Sequence, residues 1–305
     1  MTNSARAVVF AYHEVGYRCL EWLLARGVTV PAVFTHEDAP HERIWFRSVA
    51  ALARAAGLPV YTPSSLRDPS LVARLSEWRP DVLYSFYYRN MIPRDILAIP
   101  RCGAFNMHGS LLPRYRGRVP VNWAIIHGER ETGATLHHMV ARADAGDIVD
   151  QEACPIGPED TAREVFLKVT EAAVAVLARS HDAIVAGRAP RRAQDEGQAT
   201  TFGARRPEDG RIDWGREGAS IFNFVRALTE PYPGAFSTVR GQDFRVWWGR
   251  PVAAAAANRS PPGRVVSIEP LIIATGDGGF LVERFEWAAP VAAGRGNFIL
   301  GEHAG

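Results

Sequence analysis

AVVFAYHEVGYRCLEWLLARGVTVPAVFT, residues 7–35, alternates two kinds of local order. AVVFA is an unbroken run of β-forming residues, 17–26 is a helix-length amphipathic stretch, and VTVPAVFT is β-rich again. The rhythm continues with a helical segment over 43–56, LPVYT at 58–62, a helix over 69–78, DVLYSFYY at 81–88 and GAFNMH at 103–108. Short apolar strands separated by helices predict an α/β fold with a Rossmann-like, open, mostly parallel sheet, whose ligands bind beyond the carboxyl ends of the strands. The first strand-to-helix turn, FAYHEVGY, holds only Gly16 and does not read as the glycine-rich dinucleotide fingerprint.

Two further strands, GATLHHMV (133–140) and DIVDQEACPI (147–156), flank the turn RADAGD, and residues 161–185 alternate as a long helix does. Residues 187–210 are polar, glycine-rich and proline-containing, as a linker or long crossing loop would be. A helix over 218–228 and the β segments GAFSTV, FRVWWG, GRVVSI, LIIAT and GFLVERFEW then predict a second, mainly β, barrel-like domain. The expected division is a first domain over 1–187, a linker over 188–205 and a C-terminal domain over 206–305. The alanine run at 253–257 reads as a loop insertion.

The 305 residues are 47% apolar, enough for substantial cores. The formal charge is only +2, and with 34 arginines beside a single lysine, Lys168, the arginine bias reads as composition rather than a nucleic-acid footprint. Cys19, Cys102 and Cys154 lack the spacing of a zinc site or disulfide framework. The N-terminal apolar run is too short for a signal peptide, and no uncharged segment approaches the roughly 18 residues of a membrane span. A cytoplasmic chain without membrane insertion is expected.

The stretch with the most chemistry is GAFNMHGSLLPRYRGRVPVNWAI, residues 103–125. Side chains alternate along a strand, so Asn106 and His108 share a face. An amide can donate to a carbonyl oxygen gaining charge, and an imidazole, with an ordinary pKa of about 6.5, can exchange a proton near neutrality. The plainer alternative is that both satisfy backbone groups at a strand end. Asp144, in RADAGD, would fix an imidazole beside it or relay a proton, or else simply bond its own turn. Arg114, Arg116 and Arg118 suit an anionic ligand or merely solubilise a turn. Tyr12 and His13, ending the first strand, are candidates to border a substrate pocket, or a packed aromatic and a surface histidine. A metal site from His137, His138, Asp144 and Asp147 is disfavoured, because consecutive histidines on a strand face opposite ways.

NMHGSLLPRYRGRVPVNWAI, ETGATLHHMVARADAGDIVDQ and FGARRPEDGRIDW resemble the formyltransferase family that uses 10-formyltetrahydrofolate, including methionyl-tRNA and sugar N-formyltransferases. The similarity spans nearly the whole chain. It implies that Asn106, His108 and Asp144 are the catalytic set, that no metal takes part, and that 10-formyltetrahydrofolate is the formyl donor. It further implies that Asn90, Met91 and Ile92, with Val140, Ala141, Arg142, Ala143 and Asp144, line the folate site, which Arg118 also contacts. VVFAYHEVG, AVFTHEDAP and LYSFYYRNMI are most similar to the branch of the family that formylates UDP-4-amino-4-deoxy-L-arabinose for the decoration of lipid A. Its bifunctional member continues into a decarboxylase, so only formyl transfer carries over.

The expected partners are therefore folate and a UDP-linked amino sugar. Met-tRNA is the rival acceptor, but residues 206–305 hold eleven arginines and eleven acids, and a tRNA-binding surface should be distinctly basic. FTHEDAPHERIW, after the second strand, is likewise acidic. Another nucleotide-linked amino sugar remains open, as does a non-catalytic nucleotide-sugar binding protein; oligomeric state is not readable from the sequence.

Overall fold

The computed structural model describes residues 5–38, 43–253, 255, 257–288 and 298–305. The chain forms two compact units. The first comprises Met1–Pro120, Glu131–Pro155 and Phe166–Gly203; the second comprises Val121–Arg130, Ile156–Val165 and Ala204–Gly305.

In the first unit β1 (Ala7–Ala11), α1 (His13–Ala25), β2 (Val33–Phe34), α2 (Val49–Ala55), β3 (Val60–Tyr61), α3 (Pro69–Glu77), β4 (Val82–Phe86), α4 (Arg94–Leu97) and β5 (Ala104–His108) follow in turn. Then come β6 (Arg116–Gly117), β7 (Glu131–His138), β8 (Ile148–Pro155) and β9 (Thr201–Phe202), while α5 (Pro120–Ile126) lies almost wholly in the second unit and α6 (Ala162–Val185) begins there and continues in the first. One sheet runs β3-β2-β1-β4-β5-β7-β8. Its pairs from β3 to β5 are parallel, and β7 and β8 extend it antiparallel. This is the expected open, mostly parallel sheet. Every residue of β1 and β4 is buried, as a central parallel strand covered on both faces requires. Val8, Phe10, Phe34, Leu75, Leu83 and Ile96 pack in one cluster, each such side chain worth about 1.5–3 kcal/mol of burial.

Two expectations shift for local reasons. The strand over 28–35 narrows to β2, because Pro31 has no N–H to give to the ladder. The helix over 43–56 begins only after Ser48, whose hydroxyl accepts from Ala51 N–H at 3.2 Å; positions 39–42 lie outside the described residues. Gly16 sits inside α1, where an added Cβ would lie 3.1 Å from both Ala11 Cβ and Phe86 O. Its small size lets the helix approach the sheet closely, a packing role rather than a phosphate-binding one.

The second unit holds α7 (Gly218–Leu228), β10 (Ala235–Val239), β11 (Gln242–Val252), β12 (Val265–Ile268), β13 (Leu271–Ala274) and β14 (Gly279–Trp287). These strands form an antiparallel sheet ordered β10-β11-β14-β13-β12. Ile221, Val225 and Leu228 of α7 join Phe244, Val246, Ile273 and Phe280 in its core. The terminal segment bonds to both edge strands: Val265 N–H donates to Glu302 O at 2.8 Å and Gly305 N–H to Thr238 O at 3.0 Å. That tie gives the unit its barrel-like character. Asn122 Nδ2 donates to Ala227 O at 2.8 Å, and Arg226 Nη1 to Asp160 O at 2.7 Å, which binds Val121–Arg130 and Ile156–Val165 into this unit. Of the alanine run, positions 254 and 256 lie outside the described residues. Cys19 and Cys154 are buried, Cys102 is half-buried, and all three are free thiols. Among the described residues no helix is long and apolar enough to cross a membrane.

Candidate active site

Strand alternation sets the site. Along β5, Phe105 and Met107 are fully buried in the sheet, while Asn106 and His108 turn to the other face. Across the antiparallel ladder Asn106 pairs with His137 of β7, and Asn106 Nδ2 lies 3.1 Å from His137 Nε2. The next histidine, His138, points away, its Nε2 2.9 Å from Pro190 O and its ring on Phe105. Among the described residues no group of three or more possible ligands is placed to hold a metal ion.

Asp144 comes to this pair from the turn after β7. Its Oδ1 accepts from Asn106 Nδ2 at 3.3 Å and lies 3.6 Å from His108 Nδ1 and 3.5 Å from His137 Nε2. Its Oδ2 accepts from Gly117 N–H at 2.9 Å. Asp144 adopts φ 54°, left-handed backbone that costs a non-glycine residue of order 1 kcal/mol or more. Burial alone would push its carboxyl up. The positive charge of His108, the bond and charge of His137 and the Gly117 N–H outweigh that, and hold it well below the usual carboxylate range.

The histidine tautomers follow from their partners. His108 Nε2 lies 2.7 Å from Tyr115 O, a carbonyl that can only accept, so Nε2 carries a proton. Nδ1 then faces Asp144 Oδ1 and can take a second proton as an ion pair. His137 Nδ1 lies 2.9 Å from His138 O and is protonated likewise, so its Nε2 accepts from Asn106 when the ring is neutral and faces Asp144 Oδ1 at 3.5 Å when it is charged.

The arginine-bearing turn after β5 is held by its own network. Thr135 Oγ1 donates to Ser110 O at 2.6 Å and accepts from Leu112 N–H at 3.1 Å; Gln151 Nε2 donates to Leu112 O at 2.8 Å. Arg114 and Arg118 are exposed. Arg114 lies over the Tyr115 ring, and Arg118 Nη2 donates to Arg89 O at 3.2 Å, tying the turn to the segment of Asn90 and Met91. Arg116 differs from the anion-binding use expected of it. It is 1% exposed, and its guanidinium is engaged by Gln194 and Glu196, with bonds of 2.7–3.1 Å.

Of the other candidates, Asn90, Met91, Val140, Ala141, Arg142 and Ala143 are exposed. Ile92 is 4% exposed and belongs to the core cluster against which Met139 packs. Tyr12 and His13 line a cavity of about 190 Å³ at the carboxyl ends of β1 and β2, together with Thr35, His36, Phe46 and Arg54. His13 has φ 64°, packs among Trp45, Phe46 and Phe166, and its buried Nδ1 has no hydrogen-bond partner. Burial, reinforced by the charge of Arg89, lowers its pKa to about 3. Tyr87 links cavity and site: it packs near His13, and a Cβ on Gly109, next to His108, would meet its Oη at 1.8 Å.

The structure adds His137, Gly117 and Gln194 to the surroundings of Asn106 and Asp144, His137 having entered the sequence reading only as a disfavoured metal ligand. His137 had a signal, since strand pairing puts one of two consecutive histidines on the Asn106 face; Gly117 N–H and Gln194 had none.

The family model described as Formyl transferase matches residues 19–180, and Formyl transferase, C-terminal domain, matches residues 205–294. WlaRD, a sugar 3N-formyl transferase determined in the presence of dTDP and 5-N-formyl-THF, has a TM-score of 0.70 at 17% identity, covering 95% of this chain and 100% of that one. An N-formyltransferase from Helicobacter canadensis, in complex with folinic acid and dTDP-3-aminofucose, has a TM-score of 0.69 at 18% identity, covering 93% and 100%. HypX from Aquifex aeolicus, in complex with tetrahydrofolic acid, has a TM-score of 0.63 at 20% identity; this chain covers 44% of it, and 93% of this chain is covered. At such identities the likeness is one of fold.

Proposed function

Because this chain belongs to the formyl transferase family, we propose that it transfers the formyl group of 10-formyltetrahydrofolate to the 4-amine of UDP-4-amino-4-deoxy-L-arabinose. The observation that carries the chemistry is that Asn106 and His108 converge on Asp144 Oδ1, at 3.3 and 3.6 Å. The chain fits a folate: exposed Met91 and Val140 adjoin Ile92 and Met139 of one core cluster, offering apolar surface to a flat ring, and Arg118 supplies charge beside them. Asn90, Met91, Val140–Asp144 and the main chain of Ile92 are assigned to that site, and residues 1–187 to the formyl-transferring domain, with 206–305 a separate one.

Bound folate supplies the formyl carbon, to which the sugar amine adds as the bond from that carbon to the folate nitrogen breaks. Asn106 Nδ2 donates to the oxygen that gains negative charge, giving up its longer contact with Asp144. His108 receives the amine proton at Nδ1, the nitrogen not committed to Tyr115, and returns it to the departing nitrogen. Asp144 stays ionised and holds the charged ring between the two transfers. The acceptor lies along the Tyr12–His13 cavity, with exposed Arg114 toward its diphosphate.

Balanced charge after residue 205 and full-length likeness to sugar N-formyltransferases support a sugar over tRNA. The test is a folate-dependent assay with UDP-4-amino-4-deoxy-L-arabinose, several dTDP-linked amino sugars and Met-tRNA in parallel, the formamide read by mass spectrometry. We expect the UDP-sugar to be the best acceptor. Preference for a dTDP-sugar would overturn the sugar assignment, and preference for Met-tRNA the whole acceptor class. The reaction is assigned to the cytoplasm.

A further inference from the structure

Asp144 sits on a left-handed turn residue, and turns of this kind relax unless something outside them holds them. What holds this one comes from far along the chain, from the segment entering β9. Gln194 Nε2 donates to two main-chain oxygens of the turn, Asp144 O at 2.8 Å and Gly146 O at 2.7 Å. Those bonds use both hydrogens of the carboxamide. Its Oε1 in turn accepts from Arg116 Nε at 3.1 Å and Nη2 at 2.7 Å. Arg116 also forks onto Glu196, Nη1 to Oε2 at 3.1 Å and Nη2 to Oε1 at 2.7 Å, and Glu196 takes Arg142 Nη1 of the same turn at 3.0 Å.

The same segment sets the other end of the carboxylate. β6 pairs with β9, Arg116 opposite Thr201 and Gly117 opposite Phe202, and Gly117 N–H is the donor to Asp144 Oδ2. Residues 194–202 therefore fix both the backbone of Asp144 and the direction of its carboxyl group. Gln194 bonds the main chain of the turn directly and is itself oriented by a buried guanidinium. A leucine there would keep the shape of the stem and lose two donors and an acceptor. A glutamate would keep the acceptor for Arg116 and set a carboxylate oxygen against two carbonyls.

We propose that Gln194, oriented by Arg116, is a positioning residue for formyl transfer, holding the Asp144 turn so that the carboxylate meets Asn106, His108 and His137. This rests on the assignment of Asp144 to the chemistry, but the geometry can be tested without activity. The experiment follows the Asp144 side-chain carbon by NMR through an acid titration in the full chain, as wild type, Gln194→Leu and Gln194→Glu. In parallel, kcat against pH is measured with the acceptor that the wild type uses best.

In both variants the Asp144 midpoint should rise toward the ordinary value of about 4, as it loses its hold on Gly117 N–H and the histidines. kcat should fall roughly ten- to a hundredfold, the loss expected of misplacing a reacting group by about 1 Å, with the acid limb of its profile moved to higher pH. An unmoved midpoint in a folded variant overturns the proposal, whatever happens to kcat. A moved midpoint with kcat and its pH profile unchanged overturns the link to catalysis. Should the wild type formylate no acceptor, the function assigned to the site fails, while a moved midpoint still establishes the positioning contact. Gln194→Glu keeps the bond to Arg116 and so guards against a Gln194→Leu chain that does not fold.

Discussion

Asn106 and His137 face each other across neighbouring antiparallel strands, the Asn106 amide nitrogen 3.1 Å from His137 Nε2. The Asp144 carboxylate can only accept, and its Oδ1 lies 3.3 Å from the Asn106 nitrogen, which fixes which end of the amide faces the site. The two N–H groups of Asn106 point at His137 and Asp144, so a donor is aimed where an oxygen can arrive.

Asn106→Ala should lower kcat by about 100- to 1000-fold, the range for a lost donor to a developing oxyanion, and His108→Ala by about 100- to 10,000-fold, the range for a lost general acid–base. His137→Ala should cost less, since it orients Asn106 rather than touching substrate. Steady-state kinetics with circular dichroism on the same samples checks this; near-wild-type turnover by a folded Asn106→Ala or His108→Ala chain would remove that residue from its role.

Asp144 links activity to acid stability. Its folded pKa lies below the unfolded value of about 3.9, so its contribution is fully present above that value and is lost as pH falls through the folded pKa. Asp144→Asn should therefore lower the midpoint of urea unfolding at pH 7, with the gap to wild type closing below about pH 4. Turnover should also fall. A gap that stays constant between pH 7 and pH 3 would show that the charge contributes nothing.

His13 acts in the same direction over a higher pH window. With a folded pKa of about 3, it stays neutral in the native chain while the unfolded chain protonates near about 6.5. The unfolded state then binds more protons between these values, and stability declines as pH falls through that window. His13→Asn tolerates the left-handed φ of 64° and carries no titrating group, so its unfolding midpoint should drop less steeply between pH 7 and pH 4. Parallel slopes for the two chains would contradict the buried, neutral state.

Gly117→Ala places a methyl 2.2 Å from Phe202 O on a residue with φ 98°. The β6–β9 contact must open, at a cost of about 1–3 kcal/mol, and the N–H bonded to Asp144 moves with it. Chemical denaturation should register the loss, with turnover falling beyond what the folded fraction explains. An unchanged midpoint would mean that the backbone there is slack.

The architecture was legible wherever it rested on short-range pattern. AVVFA became β1 and GFLVERFEW became β14 residue for residue, and the helix expected over 218–228 is α7, because burial on both faces and helical periodicity are written into neighbouring residues. Asn106 and His108 sharing a face followed from the two-residue repeat of a strand. Likeness to a formyltransferase family pointed to Asp144 through motif, without any measure of where it sits.

Only the tertiary structure decided the rest. That Asp144 reaches Asn106 depends on a turn folding back from β7, and that the turn keeps its shape depends on Gln194, fifty residues further on. Arg114, Arg116 and Arg118 look alike in PRYRGR, yet two are exposed and the third is buried against Gln194 and Glu196. Side-chain type and strand period are local properties. The burial of a guanidinium and the partner of a carboxylate are set by contacts between segments far apart in the chain, which no local pattern encodes.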